Sequence, residues 1–258
     1  MYAMERQQLI ERMLVANGRV AVVDLASRFD VTTETVRRDL AALEEAGVLR
    51  RVHGGAVSAE RVSTAEPSVA ERSQRHSAAK ERIARRALSA LPAGAGSIYI
   101  DAGTTTASFA AALVDGSAPR GLEVVTHSMT IAHSLAGASG IGLTAIGGRV
   151  RGLTAAAVGS DAVSAITRLR PDVALIGTNG IARGAGLTTP DPDEAAVKRA
   201  IVAGARRVIV LADADKFDAE LLVSFADLSE LDVIVTDREP EDDLALALRE
   251  ADVEVWTA

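Results

Sequence analysis

From residue 97 onward, seven short β-branched runs alternate with helical stretches, and no other feature restricts the fold of this chain as strongly. The runs span 97–101, 122–126, 142–146, 172–177, 207–213, 232–237 and 253–257. Helical periodicity falls between them, near 104–114, 128–136, 160–169, 192–204 and 240–250. Parallel neighbours in a sheet need long crossovers, and a helix is the usual one. The alternation therefore predicts an α/β domain with a mostly parallel open sheet and helices on both faces. In such sheets ligands sit beyond the C-terminal ends of the strands.

The polar punctuation lies mostly at those ends. It comprises Asp101-Ala102-Gly103-Thr104-Thr105, Thr126-His127-Ser128, Gly147-Gly148-Arg149, Gly177-Thr178-Asn179-Gly180, and Asp213 followed by Lys216. Within IDAGTTTASFA (100–110), Gly103 is expected to turn the backbone sharply. Thr104, Thr105 and Thr106 would then crowd hydroxyls and backbone N–H groups around a helix N-terminus, a place that favours phosphate. Asp101 would accept hydrogen bonds from sugar hydroxyls, and Lys198 or Lys216 would supply the opposing charge. Each piece alone also fits an ordinary turn or a surface ion pair. Five at corresponding strand ends point to a small-molecule pocket, with Asp101, Gly103, Thr104, Thr105, Thr106, Thr126, His127, Gly148, Arg149, Lys198, Asp213 and Lys216 as the expected effector-binding set. No G-x-G-x-x-G follows the first strand and no G-x-x-x-x-G-K-[ST] occurs, which argues against dinucleotide and ATP sites. No catalytic residue, metal or cofactor is assigned.

Basic residues number 28, yet only Lys80, Lys198 and Lys216 are lysines. A chain that otherwise uses arginine and keeps lysine in three places suggests a need there for a compact ammonium.

The first sixty residues read differently. MERQQLIERMLVANG places Leu9, Ile10, Met13 and Leu14 on one helical stripe, and AVVDLASRFD repeats the pattern with Val22, Leu25, Ala26 and Phe29. A third helix, TTETVRRDLAALEEAG, has Thr32 as N-cap, Glu34 in its first turn and Gly47 as its stop. Val36, Leu40 and Leu43 form its apolar stripe, while Glu34, Arg37, Arg38 and Ala41 face the other way. VLRRVHGGAVS then reads as a β-hairpin wing, which puts Arg50, Arg51 and His53 within reach of phosphates. Helix, turn, helix and wing in this order describe a mostly α winged helix-turn-helix. The bland alternative is a three-helix cap with a solvated arginine face.

The net charge of −7 does not exclude DNA. Residues 1–61 hold nine Arg and nine Asp/Glu, so the whole deficit lies in the remainder. A neutral module can still present a basic face, and the acidic remainder argues only against a second nucleic-acid surface. Residues 58–76 are polar and read as a linker. The expected organisation is therefore a DNA-binding domain over 1–57, a linker over 58–76 and an effector-sensing and oligomerisation domain over 77–258. There are no cysteines, no signal-peptide h-region and no apolar run of membrane-spanning length, which makes the cytoplasm the expected location.

VTTETVRRDLAALEEAGVLRRVHGGAV resembles the winged helix of the DeoR family of bacterial transcriptional regulators. The family's T-[VI]-R-R-D-L run corresponds to Thr35–Leu40 and its G-G wing to Gly54-Gly55. The resemblance implies that Thr33, Glu34, Thr35, Arg37 and Arg38 enter the major groove, with Asp39 structural. Further motifs continue it: D-x-G-T-T at 101–105, G-[LV]-T-T-P at 186–190, E-A-x-V-K-R-A at 194–200 and D-x-x-K-F at 213–217. In this family the second domain is similar in fold to sugar-phosphate isomerases. The resemblance implies a repressor of a carbohydrate catabolism operon that binds double-stranded operator DNA as a homodimer or homotetramer and responds to a sugar phosphate. His127 departs from the Asn carried by many relatives. The rival reading is a sugar-phosphate isomerase with an added DNA-binding domain, for which Asp101, Asp191, Asp193 and Glu194 offer carboxylates but no convincing acid–base pair.

Overall fold

The computed structural model describes residues 2–17, 19–52, 54–58, 63–64, 66–91, 96–117, 119 and 121–258. The chain divides into two separately packed units, Met1–Glu66 and Pro67–Ala258.

The first unit contains α1 (Ala3–Asn17), β1 (Arg19–Ala21), α2 (Val22–Phe29), α3 (Thr33–Glu45), β2 (Leu49–Val52) and β3 (Gly55–Ser58). Ile10, Leu14, Leu25, Val36, Leu40, Leu43 and Leu49 close its core, which bears out the helical stripes read from the sequence except at Leu9, which is exposed beside Ile10. The turn between α2 and α3 is made by Asp30, whose backbone is left-handed (φ 52°, ψ 52°). Thr32 caps α3 by accepting from the Thr35 N–H at 3.2 Å. The wing has one more strand than the hairpin expected, because β1 pairs with β3 and gives the antiparallel order β1-β3-β2. Gly55 is obligatory here: a Cβ at that position would lie 2.0 Å from the Val20 carbonyl oxygen of the adjoining strand.

The second unit is built on a seven-stranded sheet. Its strands are β4 (Ser97–Ile100), β5 (Leu122–Thr126), β6 (Ile141–Ala145), β9 (Val173–Gly177), β12 (Val208–Leu211), β14 (Val233–Thr236) and β15 (Glu254–Thr257). Their order is β15-β14-β12-β9-β4-β5-β6, and every pairing is parallel. The central strands carry apolar residues on both faces, as a doubly covered parallel sheet requires. Ile98, Ile100, Val124, Leu175, Ile209 and Leu211 point toward α5 (Ser77–Ala87), α6 (Thr104–Ala112) and α7 (Met129–Leu135). Tyr99, Ala174, Ile176, Val208, Val210 and Ile234 point the other way, toward α8 (Ser160–Ile166), α9 (Pro192–Gly204) and α10 (Asp242–Glu250).

Three features depart from the expected alternation. A hairpin, β7 (Arg149–Arg151) with β8 (Ala156–Val158), and an antiparallel sheet of β10 (Gly180–Ala182), β11 (Gly186–Thr189) and β13 (Val223–Ala226) flank the main sheet. Within the stretch read as a linker, residues 69–74 form α4 (Val69–Gln74), a helix of the larger unit that packs on α6. Its polar sequence hides a capping box, in which Ser68 and Glu71 satisfy each other's backbone N–H groups. Residues 59–62 and 65 of that stretch lie outside the described residues.

The strand order places a topological switch between β4 and β9. From β4 the chain winds outward through β5 to β6, then crosses back to β9 and winds the other way. The sheet's C-terminal edge therefore opens between Asp101, which follows β4, and Gly177, which ends β9.

Candidate functional site

In the first unit, α3 buries Val36, Asp39, Leu40 and Leu43 and exposes Thr33, Glu34, Arg37 and Arg38, with Thr35 half-buried. Asp39 is structural: it accepts from the Arg6 guanidinium through Nε at 2.6 Å and Nη2 at 3.1 Å, both groups being buried. This bidentate pair ties α3 to α1 at the foot of the Arg37–Arg38 face. Among the described residues Arg37 makes an exposed ion pair with Glu34 at 3.6 Å. Arg51 is exposed but engaged, its Nε lying 2.6 Å from Glu44 of α3. His53 and the side chain of Arg50 lie outside the described residues.

In the second unit a buried polar network spans the switch point. Asp101 is fully buried; its Oδ2 accepts from the Gly177 N–H at 2.9 Å and from the Lys198 ammonium. Lys198 reaches across from α9 and also donates to the Gly177 carbonyl at 2.8 Å. Two oppositely charged groups thus stitch β4, β9 and α9 together. On the other side of Asp101, the His127 Nε2 lies 3.7 Å from Oδ1, and the His127 Nδ1 lies 3.1 Å from the Tyr99 hydroxyl. Burial holds Tyr99 protonated, and the charge of Asp101 adds to this. The phenol therefore donates to Nδ1, which leaves the His127 proton on Nε2 facing Asp101. Desolvation lowers the pKa of His127 to about 4, against an upward pull from Asp101 and with a further lowering by Lys198, so the ring is neutral at pH 7. Asp101 Oδ1 is a buried acceptor without a hydrogen-bond partner among the described residues.

Immediately after Asp101, α6 begins. Gly103 caps it with extended backbone (φ 168°), so the turn does not call for a glycine, contrary to the expectation. What a side chain would change there is space, since a Cβ would come within 3.1 Å of Thr106 Oγ1. Gly103 offers no side-chain oxygen to the first N–H groups of α6, which point outward as donors. Thr104 is half-exposed, Thr105 is largely buried, and Thr106 is buried with its hydroxyl donating to the Gly103 carbonyl at 3.1 Å.

The other expected positions fall into two groups. Thr126 is buried, and its hydroxyl accepts from the Ser128 N–H at 3.1 Å, which shapes the turn after β5. Gly148 and Arg149 are exposed, and Arg149 pairs with Asp193 at the start of α9. Asp213 is buried beyond the tip of β12 with Oδ1 unpartnered among the described residues, and Lys216 is half-buried three residues on. Beside them stands a residue outside the expected set, Lys80. Burial lowers its pKa, Asp213 raises it, and Lys216, Arg72 and Arg75 lower it again, so these groups share one electrostatic neighbourhood. Its one signal in the sequence is the scarcity of lysine.

Comparison with known proteins agrees with this division. The profile of the DeoR-like helix-turn-helix domain matches residues 6–62, and that of the DeoR C terminal sensor domain matches residues 75–238. The transcriptional regulator FruR of Bacillus subtilis is 36% identical over 91% of this chain and 91% of its own. The glycerol-3-phosphate regulon repressor of Haemophilus influenzae is 33% identical over 92% of this chain and 90% of its own. Among solved structures, ribose 5 phosphate isomerase A of Neisseria gonorrhoeae aligns with 54% of this chain and 53% of its own, at 16% identity and a TM-score of 0.40.

Proposed function

The chain belongs to the DeoR family of transcriptional regulators, and from that premise we propose that it represses a carbohydrate catabolism operon and is released from its operator by a phosphorylated sugar or polyol. DNA binding resides in the first unit. Arg37 and Arg38, with Thr33, Glu34 and Thr35, read the major groove, while Arg50, Arg51 and His53 of the wing hold phosphates. A symmetric operator calls for a symmetric reader, so the working form is a homodimer or homotetramer in the cytoplasm.

The observation that carries the sensing role is the convergence at the switch point. A buried carboxylate oxygen of Asp101, 3.7 Å from His127 Nε2 and without a hydrogen-bond partner among the described residues, lies two residues before a helix N-terminus that has no side-chain cap, at the sheet edge where open α/β folds bind ligands. The N–H groups at Gly103–Thr106 take the phosphate, Asp101 Oδ1 accepts from a hydroxyl, and Lys198 holds the Asp101 carboxylate in place through Oδ2. Asp213 and Lys216 border the same edge.

The role is binding rather than turnover. An aldose–ketose isomerase needs a base free to take a proton from carbon. Here Asp101 is bound to Lys198, and His127 is neutral, 2% exposed and engaged by Tyr99. The test is a thermal-shift panel of glycerol 3-phosphate, ribose 5-phosphate and hexose phosphates, each assayed also for conversion. Stabilisation without conversion is expected. Absence of any shift refutes sensing, and product formation refutes the non-enzymatic role.

A further inference from the structure

The C-terminal end of a helix carries partial negative charge, which disfavours an acidic side chain in the last turn and favours a basic one. The last turn of α3 holds Glu44 and Glu45 and no basic residue. Negative charge is also unfavourable in a module that must approach phosphates. The wing strand accounts for Glu44. Gly47, left-handed at φ 71°, reverses the chain directly after α3. Its N–H donates to the Glu44 carbonyl at 2.9 Å, and the Val48 N–H donates to the Leu43 carbonyl at 2.9 Å. Strand β2 therefore starts at a fixed place against the helix end.

Strand alternation then sets the faces. Leu49 is buried in the core of the first unit, and Arg51, two residues on, leaves the same face of β2 toward α3. Because β2 is the outer strand of the β1-β3-β2 sheet, the Arg51 N–H that points away from β3 has no strand to meet. Glu44 takes that place with both of its oxygens. Oε1 accepts from the Arg51 N–H at 2.9 Å, and Oε2 accepts from the Arg51 Nε at 2.6 Å. The first bond holds the strand and the second holds the plane of the guanidinium. Arg51 still stays half exposed, and its two terminal amino groups make no hydrogen bond among the described residues. A guanidinium held at Nε keeps its Nη1–Nη2 edge, a flat pair of donors that matches two oxygens of a phosphate.

We propose that Glu44 is a positioning residue for operator binding: it pins the wing to the end of the recognition helix and presents the open edge of Arg51 as a preset phosphate clamp. The proposal rests on the DNA-binding role of the first unit and deepens it, since it gives a function to an acidic side chain outside the expected set. Its signature is one of sign. By charge alone, removing a carboxylate from a DNA-binding module strengthens binding. At Glu44 the same change should weaken it.

The probe is a duplex that the full chain selects from a random pool, titrated by fluorescence anisotropy between about 50 and 200 mM salt. In Glu44→Gln the amide oxygen can still accept from the Arg51 N–H, while the amide NH2 meets Nε–H donor to donor and releases the guanidinium. E44Q should weaken binding about threefold or more and flatten the slope of log K against log salt by about 0.9, the share of one phosphate. Arg51→Ala should do the same. The double variant should match R51A within about twofold, because the Gln substitution acts through the Arg51 side chain. A Glu44 that served only the fold would leave the slope intact and add its loss to that of R51A. Should E44Q fail to fold, Arg51→Lys reads the clamp from the other side. It keeps the charge and the N–H to Glu44 but has no planar fork, so binding about threefold weaker or more is expected, and parity overturns the proposal. Binding by E44Q as tight as that of the unsubstituted chain, an unchanged slope in E44Q or R51A, or additive losses in the double variant also overturn it. An unsubstituted chain that selects no duplex refutes the DNA-binding role itself.

Discussion

Replacing Asp101 by asparagine isolates the pair at the centre of the second unit. Asp101 is 0% exposed and Lys198 5% exposed, so neither charge can turn to water when its partner is lost. Asparagine preserves shape and leaves the Lys198 bond to the Gly177 carbonyl, so the loss is electrostatic rather than a cavity. Breaking a buried pair by removing one member costs about 3–5 kcal/mol. The isosteric change and the remaining carbonyl put this case at the lower end, about 3 kcal/mol, or on the order of 10 °C in Tm for a unit of this size. The assay is urea denaturation followed through Trp256, the chain's one tryptophan, which lies in β15 of the same sheet. Adding Lys198→Met should restore much of the loss, because no unpaired charge then stays buried. A loss below about 1 kcal/mol in D101N, or a double variant no more stable than the single one, would refute the reasoning.

Three further outcomes follow from the same geometry. Arg38→Ala should weaken operator binding by about 1–3 kcal/mol as read by fluorescence anisotropy, with the thermal shift by sugar phosphate unchanged. Asp39→Ala should remove the bidentate carboxylate from the buried Arg6 guanidinium, lowering the stability of the first unit by about 3 kcal/mol in chemical denaturation and weakening DNA binding through loss of fold. His127 stays neutral in the folded chain down to about pH 4, whereas an unfolded histidine takes a proton near 6.5. The unfolded state then binds more protons, so His127's contribution is fully present above pH 6.5 and is lost as pH falls toward 4, by on the order of 3 kcal/mol. Stability curves of the protein and of His127→Asn should diverge in that window; parallel curves would show that His127 is not the group responsible.

Much of this fold is legible in the sequence because local pattern and tertiary role coincide. The apolar stripe and Thr32 cap of α3 are local features, and the β-branched runs of the central strands are apolar on both faces wherever a parallel sheet is doubly covered. Elements that borrow their stability from neighbours are not legible. Strand β1 is three residues long and is a strand only because β3 lies beside it. Helix α4 is polar and follows a proline, and it is held by a lysine six residues beyond its own end. In the candidate site, Asp101 and Gly103 are visible as a strand-end motif, but the network that fixes Asp101 is not. Its partners are Lys198, 97 positions away, and His127 with Tyr99. No sequence periodicity links such residues, and the scarcity of lysine is the one hint that two buried ammonium groups matter.

On this reading DNA affinity in the first unit answers to a phosphorylated ligand in the second. It is tested most directly by titrating the full chain onto a duplex selected from a random pool, with and without saturating sugar phosphate, at fixed salt. Specific binding is expected with Kd of about 10⁻⁸ M or tighter, weakened about tenfold or more by at least one sugar or polyol phosphate and unaffected by its unphosphorylated parent. Operator affinity unchanged by a sugar phosphate that demonstrably binds the protein would contradict it.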